Sequence, residues 1–420
     1  MKDSEEKSNE IYKWVLLGFL WVAYFLQQGT RQIYNAVLPQ IQNDFQVDSV
    51  SMGLVATTFT FTYGICVPFA GIASDMFKRK WMIIAGIFLF CIGIFTSAFA
   101  SSIGMLFITY GLLNGMGQSF YFPSASSLMG QLHEKMRSTA FSIHQTAQYL
   151  GIVICSCVSG YLGSLPSQGG FAGWKLPFLL FGGIGILWAV FLVFGMRDTK
   201  QKTAANGEEI KASFKDATLM MFKKPSAIIL SLAFGFMVYV DIGFKTWTPT
   251  YLFEKFDMSM GEAALNAVVW HYLGAFIGVM VGSRVIDRLA NRGIKTIRFD
   301  ADIFGYICAA PFIFLMVHVS SLGWCIAWLF AFGIFKGVCD AGIFASFFDV
   351  VAPRYRASAM GIMLCVGFVI GSTASTILGF MRDHFGLTIG ISSLSLLYVV
   401  NAAIIFLARR YFFHKDYEEC

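Results

Sequence analysis

Arg31 stands at the centre of the stretch LQQGTRQIYNAVLP, residues 26–39, directly after the apolar run WVLLGFLWVAYF. Gln27, Arg31, Tyr34 and Asn35 fall at i, i+4, i+7 and i+8, which on a helix gathers them into one polar stripe on an otherwise apolar surface. A guanidinium offers parallel N–H donors that match the two oxygens of a carboxylate or phosphate, so the chemistry is anion binding. Two acid–base couples follow at i,i+4 spacing, Asp241 with Lys245 and Lys336 with Asp340. A lysine held by an aspartate is freed for an external anion once the aspartate takes up a proton or a cation. Lys245 and Lys336 are therefore expected to supplement Arg31, and Asp241 or Asp340 to couple cargo to H⁺, with Na⁺ as second choice. The same couples also read as structural pairs in which each ion offsets the other's desolvation, and the sequence leaves both readings open. Tyr34, Gln118 and Tyr121 have groups suited to the hydroxyls of a sugar acid. His144, with Gln148 one turn on, reads either as a second donor or as a packed core histidine, and so does His271.

These groups must be carried by membrane helices. Of 420 residues 56% are apolar and 13% charged, a balance outside that of soluble domains, so the chain reads as an integral membrane protein. A bilayer core of about 30 Å needs roughly 20 apolar residues per helix. On that scale twelve spans emerge: 12–37, 51–73, 81–101, 104–127, 138–163, 175–196, 225–253, 262–288, 299–319, 322–350, 357–382 and 388–411. An arginine at the bilayer centre costs about 2.5–3.5 kcal/mol on insertion scales, so its side chain should face a wet cavity or a partner. Counted from Trp14, Arg31 lies about 25 Å along its helix, past the midplane, where reaching outward to lipid headgroups is the alternative. The polar stripe around it favours a cavity.

Sorting the 31 Lys and Arg residues by loop puts 25 on one face of the membrane and only Lys175, Lys255 and Arg382 on the other. The positive-inside rule then places both termini and the long loop 197–224 in the cytoplasm. That loop is polar at its centre and reads as a linker between two six-helix halves, 1–196 and 225–420. The halves echo each other. GIASDMFKRK (Gly71, Asp75, Arg79, Lys80) follows the second span and SRVIDRLANR (Asp287, Arg288) follows the eighth. EKMRSTAFSI follows the fourth and PRYRASAMGI the tenth, aligning Arg137 with Arg356. Six spans per half with internal duplication is the pattern of an alternating-access carrier whose site lies between the halves. The charged N-terminus has no cleavage site, so the first helix is expected to be its own insertion signal. The nine cysteines lie mostly singly in apolar runs and read as small buried hydrophobes. Nothing points to a cofactor, a metal or nucleic acid, and a monomer is expected.

With these features the chain resembles the major facilitator superfamily over nearly its whole length. The motif at Gly71–Lys80 resembles the family's cytoplasmic loop between the second and third helices, with Met76 and Lys78 in place of the usual Arg and Gly. The resemblance implies that Gly71, Asp75, Arg79 and Lys80, and Asp287 and Arg288 after the eighth span, act as a conformational gate. Arg31, eight residues before Pro39, resembles the first helix of the anion:cation symporters and of the organophosphate:phosphate antiporters. WTPTYL (Trp247–Leu252) and NGMGQ (Asn114–Gln118) resemble the antiporters. The antiporters carry a second arginine where this chain has Asp241, and the symporters a proton-titrating glutamate where it has Gln118.

The expected fold is therefore an all-α membrane protein of twelve transmembrane helices in two pseudo-symmetric six-helix bundles, the major facilitator fold, in the cell's inner (plasma) membrane. The expected activity is proton-coupled import of a small organic anion such as a sugar acid, with Arg31 as its anchor. Exchange of a phosphate ester for phosphate, Na⁺ symport, a transporter-like sensor and a drug exporter are the rivals. No H-E-x-x-H or G-x-S-x-G pattern supports an enzyme.

Overall fold

The computed structural model describes residues 2–133, 137–167, 171–197, 214–352 and 355–417. The centre of the expected linker, 198–213, lies outside these residues, as do Lys135 and the side chains of Asp75, Arg137 and Arg356. The described chain is helical almost throughout. In the first half run α1 (Lys2–Ala36), α2 (Leu38–Phe45), α3 (Ser49–Met76), α4 (Arg79–Ser97), α5 (Ile103–Leu106), a π-helix (Phe107–Asn114), α6 (Gly115–Leu132), α7 (Arg137–Gly163) and α8 (Lys175–Gly195). The second half contains α9 (Phe214–Lys223), α10 (Pro225–Phe256), α11 (Met260–Ala290), α12 (Ile297–His318), α13 (Leu322–Val350), α14 (Arg356–Phe385), α15 (Leu387–Tyr411) and the short α16 (Phe413–Asp416).

Among the described residues, ten of these helices are long and apolar enough to cross a bilayer. The two expected spans that fall short are 12–37 and 104–127, and both are helical nonetheless. In α1 the apolar run gives way to Gln27, Gln28, Thr30, Arg31, Gln32 and Asn35. The fourth passage is divided into α5, the π-helix and α6, and carries Asn114, Gln118 and Ser119. Both passages thus carry polar residues within their apolar runs.

Proline sets several boundaries, because it has no N–H to donate to the preceding turn. Pro39 opens α2 after α1 has stopped at Ala36, and Pro225 opens α10. The duplication is also visible in the backbone. Gln46 ends α2 and Asp257 ends α10, both left-handed at φ 51°, the only non-glycine residues of positive φ among those described. The expected linker is not irregular to its end, since Phe214–Lys223 forms α9 against α10 and α14.

The chain separates into two compact units. The first comprises Met1–Val47, Thr58–Thr203 and Met258–Leu265; the second comprises Asp48–Thr57, Ala204–Asp257 and Asn266–Cys420. In the first, α1 packs on α7, and α4 on α6 and α8. In the second, α10 packs on α14, and α12 on α13 and α15. The two sets of pairings correspond helix for helix, which is the pseudo-symmetry that the repeated motifs imply. Small residues permit the close approach of α1 and α7: a Cβ on Gly29 would lie 2.8 Å from the carbonyl oxygen of Gly151. Large apolar side chains such as Leu187 and Phe194 of α8 are exposed, as lipid-facing residues should be.

The gate residues of the sequence reading sit at helix ends. Phe77 and Lys78 make the turn between α3 and α4, with Arg79 and Lys80 in the first turn of α4 and Lys80 Nζ 5.4 Å from the Trp81 ring. Asp287 and Arg288 are exposed near the end of α11. On the opposite ends of the helices, Asp48 precedes α3 and accepts a hydrogen bond from Ser51 N–H at 2.9 Å. The Ser51 side chain, and then its N–H, hold the Asp48 carboxyl below its usual range.

Candidate functional site

In the first unit the polar residues of α1 and α6 form one hydrogen-bonded cluster. Arg31 Nε donates to Gln118 Oε1 at 2.5 Å. A guanidinium can only donate, so the amide oxygen of Gln118 must face it, which leaves the Gln118 nitrogen to donate elsewhere. It donates to Asn114 Oδ1 at 2.9 Å and to Thr30 Oγ1 at 3.4 Å. Gln27 Nε2 donates to the Gln118 carbonyl at 2.7 Å, and Tyr110 OH to the Arg31 carbonyl at 3.2 Å. Asn114 is the last residue of the π-helix, a local widening of the helix often found at functional positions.

The guanidinium lies 4.5 Å from the ring centre of Tyr63 and 5.6 Å from that of Phe59, both on α3. These faces give partial electrostatic compensation. Arg31 Nη2 is buried and has no hydrogen-bond partner among the described residues. No carboxylate among them lies within ion-pair distance of Arg31, and the burial of Nη2 rules out a side chain extended into lipid headgroups. The arrangement is a positive charge, steered by Gln118 and backed by aromatic rings, with a donor unused.

The rest of the expected stripe behaves differently. Tyr34 is fully buried and stacks on Tyr110 at 4.8 Å, while Asn35 Nδ2 donates to Gln32 Oε1 at 3.2 Å. Tyr34 thus flanks the Arg31 cluster through the Tyr110 ring, and Asn35 through Gln32. Tyr121 and His144 form a second group nearer the start of α1. Tyr121 OH donates to the Leu20 carbonyl at 2.6 Å and lies 3.0 Å from His144 Nε2. Since the hydroxyl has one proton, which goes to Leu20, His144 must donate through Nε2. Tyr24 stacks on His144 at 4.2 Å and donates to Gln148 Oε1 at 2.8 Å. The hydroxyl assigned to a sugar by the sequence reading is thus committed within the protein.

The second unit joins the two acid–base couples into one chain of alternating charge. Lys245 Nζ lies 2.6 Å from Asp241 Oδ2, and Lys336 Nζ lies 2.6 Å from Asp340 Oδ2 and 3.4 Å from Asp241 Oδ1. Asp241 on α10 is therefore shared by lysines of α10 and α13. Two cations and two anions cancel, in contrast to the single unmatched charge of Arg31. Lys336 is the most buried of the four, whereas the Asp340 side chain is 29% exposed. Tyr272 lies beneath Lys245, its ring centre 5.2 Å from Nζ. His271 is buried against Phe244 and Phe332, with Nδ1 unpartnered among the described residues.

Sequence reasoning missed two aromatic neighbours of Arg31 and one buried acid outside both clusters. Tyr63 and Phe59 carry no polar signal, because their role under the guanidinium depends on how α3 is rotated. Asp302 of α12 is a fully buried acid that reads in sequence as one of two ordinary acids in the first turns of a helix.

The family model described as Major Facilitator Superfamily matches residues 20–376. The Hexuronate transporter of Bacillus subtilis (strain 168) is 25% identical over 380 residues, 88% of this chain and 87% of that one. The Probable galactarate/D-glucarate transporter GudP of Escherichia coli (strain K12) is 24% identical over 414 residues, covering 88% of this chain and 89% of its own. Among solved structures, a bacterial homolog to human lysosomal transporter Spinster, inward-facing and unoccupied, superposes with a TM-score of 0.86 at 19% identity. That superposition covers 97% of this chain and 99% of the other, and it establishes a common twelve-helix fold.

Proposed function

Because this chain belongs to the Major Facilitator Superfamily and is thus a multi-pass membrane transporter, we infer that it imports a small organic anion, a sugar acid, by proton-coupled symport. The proposed cycle is alternating access in the plasma membrane, with both termini cytoplasmic. Relatives named for hexuronate and for galactarate or D-glucarate support the substrate class. The observation that carries the reading is Arg31: a permanent cation whose Nε is held by Gln118 while Nη2 is buried and unmatched. A cargo carboxylate supplies the missing acceptor and the missing negative charge. Lys245 and Lys336 become available to a second acidic or hydroxyl group of the cargo when their aspartates release them. Protonating Asp241 would disturb two ammonium contacts at once. Asp340 is bound to one lysine and is the more exposed of the two, and either aspartate carries the coupling proton in this proposal. Gly71, Asp75, Arg79, Lys80, Asp287 and Arg288 serve in this proposal as the cytoplasmic gate.

Exchange of a phosphate ester for phosphate is less well supported. Asp241 occupies the place of the antiporters' second arginine and is itself tied to two lysines. The test is uptake of labelled D-glucuronate into proteoliposomes, with and without an inward proton gradient and with phosphate trapped inside. Symport predicts accumulation driven by the gradient, indifferent to internal phosphate and abolished in Arg31→Ala. Equal uptake of a neutral hexose, or wild-type uptake by Arg31→Ala, would overturn the reading.

A further inference from the structure

The second unit buries an acid that neither cluster uses. Asp302 lies in the second turn of α12 and is fully buried. Ser346 Oγ of α13 donates to Asp302 Oδ2 at 2.7 Å, while Oδ1 is buried with no hydrogen-bond partner among the described residues. Gly342 of α13 stands directly against Oδ1, so close that a Cβ there would collide with the carboxyl oxygen. One turn further along α12, Tyr306 meets Tyr398 of α15 edge-on at 5.0 Å. Both are fully buried, and neither hydroxyl has a partner among the described residues.

The cations of the neighbouring helices are already engaged. Arg298 of α12 pairs with Asp349 of α13, Arg409 of α15 with Asp300 of α12, and Lys336 with Asp340 and Asp241. The remaining titratable groups about Asp302 are Tyr306 on its own helix, Cys339 of α13 and Tyr398 of α15. The Cys339 thiol contributes only a weak donor to the Asp302 carbonyl, 3.8 Å away. A buried carboxylate with one hydroxyl donor and no counter-ion among the described residues is far less stable than the neutral acid in the same place. Of the two oxygens, Oδ1 is the one placed to take a proton, because Oδ2 faces a donor.

We propose that Asp302 is a proton-binding site of the transport cycle, loaded when water reaches the α12–α13 seam and sealed when Gly342 and Ser346 close over the carboxyl. The proposal rests on the carrier reading above and adds a site outside the chain of four charges. It also has a route to the cargo. Cys339, Gly342 and Ser346 of α13 form the stripe that meets Asp302, and Lys336 and Asp340 occupy the adjoining stripe of the same helix. A movement of α13 that uncovers Asp302 thus also moves the Lys336–Asp340 pair.

The first test needs no cargo, so it separates this proposal from the substrate assignment. Infrared spectroscopy of the reconstituted protein reads the C=O stretch of protonated carboxylic acids. At neutral pH the wild type should show such a band, Asp302→Asn should lose it, and Asp241→Asn and Asp340→Asn should keep it. A band unchanged in Asp302→Asn, or absent from the wild type, overturns the proposal. In proteoliposomes that import glucuronate, Asp302→Asn should lose gradient-driven accumulation by about tenfold while glucuronate-for-glucuronate exchange stays within about twofold. Accumulation equal to wild type would refute the coupling role. Should Asp302→Asn fail to fold, Ser346→Ala keeps the acid and removes the donor to Oδ2. That variant should hold its proton to higher pH, and an unaltered titration of the band counts against the site.

Discussion

Replacing Gln118 by glutamate puts the anion-anchor assignment at greatest risk. The amide oxygen already lies 2.5 Å from Arg31 Nε, so Gln118→Glu substitutes a carboxylate of nearly the same shape at the point of contact. At an effective dielectric of about 20, unit charges about 4 Å apart attract by about 4 kcal/mol. Part of this is offset by desolvating the new carboxylate and by losing the bonds that the Gln118 nitrogen makes to Asn114 and Thr30. If half survives, an incoming anion meets a competitor worth about 2 kcal/mol, which weakens binding about thirtyfold. The competition exists only while the glutamate is ionised. Protonation releases Arg31, so affinity in the variant should rise as pH falls, more steeply than in the wild type. Binding of D-glucuronate, followed by calorimetry or thermal shift of purified protein from alkaline to mildly acid pH, gives both quantities. Undiminished affinity of Gln118→Glu at alkaline pH would mean that the cargo anion does not meet Arg31.

Tyr63→Leu removes the ring nearest the guanidinium and, at about 0.5–2 kcal/mol for such a contact, should weaken anion binding by a few-fold to about thirtyfold in the same assay while leaving the fold intact. Lys336→Gln leaves Asp241 and Asp340 short of a cation and should lower stability by about 2 kcal/mol, a value reduced for the partial exposure of the aspartates; adding Asp340→Asn should restore part of the lost Tm. Gly151→Leu forces α7 away from α1 at the Phe25 backbone and should lower Tm and transport rate together, without altering preference for acids over neutral sugars in competition assays.

Much of the architecture was legible because the bilayer imposes one length on every apolar helix. Of the twelve spans expected on that rule, ten meet it among the described residues. The i,i+4 couples were also legible, since one helix fixes the geometry of Asp241 with Lys245 and of Lys336 with Asp340. The contact between Lys336 and Asp241 was not, because it depends on the rotation of α10 against α13. The same limit hid Tyr63 beneath Arg31. The π-helix that ends at Asn114 inserts extra backbone without a residue pattern of its own. Asp302 was hidden for another reason: Asp300 stands two residues away with Arg409, and periodicity alone does not say which acid turns inward.

Charge balance joins the Arg31 cluster to the choice between symport and exchange. An exchanger must resist crossing empty, and two uncompensated arginines in a low-dielectric site supply that resistance. In this chain the place of the second arginine holds Asp241, and the charges of α10 and α13 cancel in pairs. Among the described residues of the two clusters, only Arg31 remains without a counter-charge, partly compensated by Tyr63 and Phe59. The empty protein therefore carries one net charge in its polar clusters, and a bound monoanion brings that to zero. An empty return is cheaper with one such charge than with two, which a symporter requires and an obligatory exchanger must avoid. A second arginine introduced by Asp241→Arg would reverse the balance. It places a cation beside Lys245 and Lys336 and should slow net uptake far more than exchange. A variant that accumulates glucuronate at the wild-type rate would show that unmatched charge does not control the empty return.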